Sequence, residues 1–270
     1  MLKERLDALV DELDRDATRA ADPVSFVHRY ADPLDREVVG LIAATLAFGN
    51  VVAVRKSVAR VLDALGARPS RSIRAGRKRL ERRLDGFVHR VYRGPHVATM
   101  LAHAARLQKK HGSLGEALRL EVDAEGTREG LARFADALRG RDADRGLRHL
   151  VPDPRAGSAC KRLWLYLRWM IRPADGVDLG QWPLPASMLL LPLDTHTHRI
   201  SRNLGLTARN DASWRTAEEI TARLRELDPV DPVRYDFALC HLGVSRECPS
   251  RRDADKCARC LLKPVCTQWV

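Results

Sequence analysis

Apolar residues recur at intervals of three and four along almost the whole chain, and no segment alternates apolar with polar residues as a half-buried strand would. An all-α fold follows. In "ADPLDREVVGLIAATLAF", Asp32 is placed as an N-cap and Pro33 at the first helical position, and the apolar run from Val38 to Phe48 marks a buried helix. After Gly49 and Asn50, "VVAVRKSVARVLDALG" has the period of a second helix, stopped by Gly66 with Pro69 beyond. "GPHVATMLAHAARLQKKHG" and "TREGLARFADALRG" read as two more, while "EALRLEVDAEG" and "RDADRGLRHLVPDPRAG" read as breaks. A buried helix is expected from near Gly157 to just before Pro173, then an irregular loop, "PADGVDLGQWPLPA". Three further capped helices lead to a cysteine-rich end, and no internal repeat or low-complexity linker is present.

With 270 residues the chain can bury a substantial core, as one large domain or two modest ones sharing a cleft. Lys and Arg number 47 against 35 Asp and Glu, a formal charge of +12 that attracts polyanions, nucleic acid first among them. From Arg71 to Arg93 the charges concentrate, with Leu80, Leu84, Phe87, Val88 and Val91 as an inner stripe. Those cations suit either phosphates or a plain solvated face. "MLKERLDALVDELDRDA" has helical spacing and acids throughout, unlike a secretory signal, and no apolar run is long enough to span a membrane. The expected compartment is reducing cytoplasm, where clustered cysteines mean metal before disulfide.

Cys248, Cys257, Cys260 and Cys266 form C-x8-C-x2-C-x5-C; Cys160 and Cys240 lie outside it. Four thiolates can complete a tetrahedral zinc site or a cubane iron-sulfur cluster. A single short C-x2-C turn flanked by two lone cysteines leans toward iron-sulfur. The spacing is similar to the C-x6-C-x2-C-x5-C loop that closes the endonuclease III and adenine glycosylase branch of the helix-hairpin-helix DNA glycosylases, with two extra residues between Cys248 and Cys257. The resemblance implies a 4Fe-4S cluster with zinc as the alternative, and a loop that touches the DNA backbone through Arg251, Arg252 and Lys256, partly offset by Asp253 and Asp255.

"PLDTHTHRISRNLGL" also resembles the family's V-D-T-H-x-x-R segment, which makes Asp194 the catalytic carboxylate, followed at matching spacing by Thr195, His196 and the DNA-binding Arg199. Breaking an N-glycosidic bond builds positive charge on the sugar, so an ionised carboxylate nearby stabilises the transition state and can activate water. Asp194 also suits the N-cap of a helix starting at Thr195. His196 and His198, two apart, point to different sides and do not make a metal pair. "PRAGSACKRLWLYL" stands where the family has its phosphate-gripping hairpin: Gly157 matches the first glycine and Lys161 the lysine nucleophile, but Ala159 replaces the second glycine. A nucleophilic Lys161 needs a lowered pKa, which Arg162 would assist if it faced the same way. Trp164, Trp169 and Trp182 offer faces for a flipped base, or core. Gly49 and Asn50 stand where the family's wedge would be, and its glutamine is missing.

The resemblance implies two helical lobes, residues 34–172 and residues 1–33 with 173–270, and a monomer acting on double-stranded DNA in a bacterial nucleoid. The implied activity is removal of a damaged or mispaired base, with or without strand cleavage through Lys161. The rival readings are a non-catalytic nucleic-acid-binding protein stapled by a metal, and an RNA-binding or RNA-processing protein.

Overall fold

The computed structural model describes residues 1–268. Helices occupy most of them, and none is long and apolar enough to cross a membrane. The Pro33–Thr45 helix runs through the middle of the core: Asp32 Oδ1 accepts from the backbone N–H of Leu34 at 2.8 Å and of Asp35 at 3.1 Å, and every residue from Val38 to Thr45 is buried. Against it pack the 3-10 turn Pro23–Arg29 and the helices Val51–Leu65, Gly94–His111 and Lys161–Ile171. The buried apolar side chains form one continuous cluster from Leu6 to Leu262.

Three expectations are corrected. "EALRLEVDAEG" is not a break but most of the helix Leu114–Glu125, capped by Ser113 and ended at Gly126. It pairs closely with Thr127–Arg139, and Leu114, Ala117 and Leu118 are buried despite the acidic outer face. Part of the next expected break is a short helix, Arg145–Leu150. The Arg71–Arg93 segment contains a two-stranded antiparallel hairpin, Val88–His89 with Tyr92–Arg93, whose register pairs Val88 with Arg93 and His89 with Tyr92. Leu80, Leu84 and Phe87 do face inward, whereas Val88 and Val91 stand exposed on the hairpin.

Two buried polar clusters fix the helix Lys161–Ile171 and the irregular loop after it. Arg168 is 2% exposed; its Nε donates to Asp178 Oδ1 at 3.2 Å and its Nη1 to Asp236 Oδ2. Arg172 Nε reaches both oxygens of Asp231 at 3.0 Å, while its Nη1 reaches Asp175 and Asp178. Charges this deep are retained because each is paired on more than one side. Elsewhere Glu37 accepts from Gln108, the backbone of Leu114 and Gly115, and Trp182 Nε1 at 2.8 Å. Burial pushes its carboxyl above the ordinary range, and those donors oppose the rise. Trp182 is thereby a strut of the core. With Trp164 and Trp169 fully buried as well, none of the three tryptophans offers a face to a flipped base.

Candidate active site

Lys161 opens the helix Lys161–Ile171 and Asp194 caps the helix Thr195–Asn203, so both side chains project from helix starts. The fold brings these two distant positions together: Lys161 Nζ lies 3.4 Å from Asp194 Oδ2. Asp194 Oδ1 is occupied by the backbone N–H of His196 at 2.8 Å and of Thr197 at 3.0 Å, and Thr197 Oγ1 accepts from the Asp194 N–H at 2.8 Å. One carboxylate oxygen is thus held by the helix while the other turns to the lysine. About a fifth of the Asp194 side chain remains exposed, so it is neither sealed in the core nor out in solvent.

The pair lines a cavity of about 380 Å³. Its wall draws on Asp22, on Gly49, Asn50 and Val51, on the Lys161 helix, and on Asp236, Cys240 and His241. Asn50 caps the Val51–Leu65 helix, its Oδ1 accepting from Val52 N at 2.9 Å. Burial would raise the Asp194 carboxyl, but the Lys161 cation and the N–H groups of Thr197 and His196 outweigh it and hold the pKa below the usual value. Burial would lower the Lys161 amine; Asp194, Cys240 and Asp236 reverse that and raise it. The lowered amine pKa that a nucleophilic Lys161 needs is therefore not what this arrangement produces. Arg162 does not assist either. Its guanidinium donates to the carbonyls of Thr45 and His149 and lies over Phe48 and Tyr92, and burial pushes it down to about 10.

The chain reaches Lys161 through two left-handed residues, Gly157 at φ +86° and Cys160 at φ +48°. The Gly157 carbonyl accepts from Trp214 N at 2.8 Å, so this stretch is tied to the start of the Trp214–Leu227 helix. Burial raises the Cys160 thiol to about 11 and the Cys240 thiol further still; of the two, Cys240 lines the cavity.

Around Gly49 and Asn50 the surface is apolar. Val52 is 70% exposed and Phe48 and Val51 just over a third, and Val88 and Val91 of the hairpin are more than half exposed. His89 Nε2 meets the Phe48 carbonyl at 3.2 Å and Arg90 lies 4.8 Å over the Phe48 ring, which stitches loop and hairpin into one projection.

The four cysteines surround a second cavity, about 80 Å³, together with Arg199, Arg251, Arg252 and Lys263. Burial pushes the Cys248 thiol up, and the neighbouring Arg199 opposes this. Among the described residues, no three His, Cys, Asp or Glu side chains are grouped so as to hold one metal ion. Arg199 is turned to the cysteine segment: its Nη2 donates to the Cys248 carbonyl at 2.7 Å and its Nη1 reaches Cys248 Sγ at 3.4 Å and the Pro249 carbonyl. Lys256 is likewise engaged, donating to the Arg246 carbonyl at 2.8 Å. Arg251 and Arg252 are exposed. His196 packs on Gly243 while His198 Nε2 turns to the Arg209 carbonyl at 3.1 Å, so the two rings diverge.

Asp22, Asp236 and His241 went unread in the sequence. Asp236 lies about one helical turn before Cys240 and His241 in the otherwise apolar helix Asp236–Val244, and that spacing was the available signal for this helix. No curated protein and no solved structure matches the chain. A family model matches residues 22–245, a span that holds Lys161, Asp194 and Asp236 and stops short of the four cysteines. The chain belongs to the family described as a protein of unknown function, DUF2400.

Proposed function

We propose that the protein is a DNA glycosylase of the helix-hairpin-helix kind, which removes a damaged or mispaired base flipped from the duplex. The observation that carries this reading is the Asp194 carboxylate, with Oδ1 fixed by a helix start and Oδ2 turned to a cation at a cavity wall. Kept ionised, Asp194 stabilises the positive sugar as the base departs and orients a water for attack. Lys161 stays cationic, anchoring that carboxylate and attracting a phosphate, so release by water is favoured over Schiff-base chemistry. Two lobes, residues 34–172 and residues 1–33 with 173–270, would flank the cavity, whose wall takes residues from both. The apolar projection from Phe48 to Val52 and the hairpin suits the space a flipped nucleotide leaves, as apolar wedges do.

Cys248, Cys257, Cys260 and Cys266 would hold a 4Fe-4S cluster. Four sulfurs lining one cavity, in the order C-x8-C-x2-C-x5-C and with Arg199 beside Cys248, are the donor set such an anionic cluster takes. When bound, such a cluster supplies a structural crosslink for the chain's end. Iron and sulfide analysis tests this, and stoichiometric zinc in colourless protein overturns it.

The deciding experiment measures base release from duplexes carrying a panel of lesions. Asp194→Asn is expected to slow release by about 10²-fold or more. Unchanged release in that variant would reduce the Lys161–Asp194 pair to a link between two helices. Borohydride trapping on abasic DNA, with Lys161→Ala as control, reports on the strand-cleaving arm.

A further inference from the structure

The cavity holds more carboxylate than base release requires. Besides Asp194 its wall includes Asp22 and Asp236. Asp236 is 2% exposed; Oδ2 takes the Arg168 guanidinium, while Oδ1 is buried with no donor among the described residues. Asp22 Oδ1 accepts from Val24 N at 2.9 Å, and its Oδ2 stands 3.3 Å from His241 Nε2, which makes no well-formed hydrogen bond among the described residues. The Phe237 ring, 4.4 Å away, holds the His241 ring in place. The deeper cations are already committed, Lys161 to Asp194 and Arg168 to Asp178 and Asp236.

Burial pushes the Asp236 carboxyl up and the Arg168 cation opposes that rise; in its ionised form a carboxylate only accepts hydrogen bonds. A buried acceptor without a donor is costly, and in a cavity of ligand size a bound molecule can supply the missing N–H. We propose that Asp22, Asp236 and His241 form the subsite that reads the edge of the flipped base, and that it takes a base with an exocyclic amine over one with a carbonyl there. This rests on the glycosylase reading. An amine brings two N–H donors to these oxygens, whereas a carbonyl brings lone pairs against them. A site built to bond a donor rejects the analogue lacking it far more strongly than an apolar pocket rejects a change of size.

The test compares bases that exchange the amine for a carbonyl, and with it the adjacent ring nitrogen from an acceptor to an N–H: adenine against hypoxanthine and cytosine against uracil, each within otherwise identical duplexes. Release is measured for each, and binding of adenosine and inosine to the full chain is followed by NMR. The amine member is expected to be preferred by about tenfold or more. Asp22→Asn keeps an oxygen for Val24 N and exchanges the other for a donor, so it brings the pair to parity or inverts it. Asp236→Asn does the same; because Asp236 is buried on Arg168, Asp22→Asn carries the decision if the other variant unfolds. Equal treatment of amine and carbonyl by the wild-type protein, in both release and binding, overturns the subsite, as does a preference that Asp22→Asn leaves intact. Amine preference in nucleoside binding without release of any base would sink the glycosylase reading and keep the subsite. Base release, with rates and binding that both ignore the amine, would do the reverse.

Discussion

Asp194 divides its oxygens between a helix and a cavity, and the same contacts that cap the helix keep the carboxylate charged. A carboxyl whose folded pKa is depressed adds stability above the ordinary carboxylate range, and that stability is lost as pH falls through the folded value. Ionisation also gates the proposed chemistry, so base release should persist down through the ordinary carboxylate range and fail only below it. Lys161→Ala removes the largest opposing charge and leaves burial in command, so the acidic limb of the pH–rate profile should move upward. A limb that stays in place would show that Lys161 does not govern Asp194. Asp194→Ala should also lose about 1 kcal/mol of stability in denaturant melts, while Asp194→Asn keeps most of the cap. Asp194 and Lys161 were legible in the sequence because each sits in a short local pattern. Asp22, Asp236 and His241 were not, since only tertiary packing brings them to one wall. Arg199 and Arg162 could be read as cations but not aimed, because a long side chain's direction depends on which carbonyls the fold presents.

Helix boundaries followed the sequence where a cap and a run of apolar residues agreed, as at Asp32 and Gly66. They failed at Leu114–Glu125, where acids on the solvent face masked the buried stripe, and at the Val88–Arg93 hairpin, whose two-residue strands are too short to show any period. The Leu114–Glu125 and Thr127–Arg139 helices meet at Gly130. A methyl group there would sit 2.6 Å from both Cα and N of Val122, and backbone cannot step aside as a side chain can. Gly130→Ala should therefore cost about 1–3 kcal/mol by chemical denaturation, even though alanine is intrinsically the better helix former. A neutral or stabilising result would mean that the two helices slide apart without loss.

For the molecule as a whole, charge and apolar exposure divide the work of holding a duplex. A formal charge of +12 attracts phosphate without reading sequence, so affinity for any DNA should fall steeply as salt rises. Charge cannot open the base stack. Phe48, Val51 and Val52 are exposed on the loop and helix start where Val51 lines the cavity, and Val88 and Val91 are exposed on the hairpin tied to Phe48, an arrangement costly in water unless something covers them. If they fill the gap left by a flipped nucleotide, their contribution belongs to duplex DNA alone, because a single strand has already lost most of the stacking that must be broken. Replacing Val51 and Val52 together with serine should slow base release from duplexes by about tenfold or more while leaving single-stranded oligonucleotides nearly unaffected. The same variant should show the wild-type slope of affinity against salt, since no phosphate contact is removed. An equal loss on both substrates would mean that these valines shape the cavity rather than enter the helix, and the projection would then need another partner.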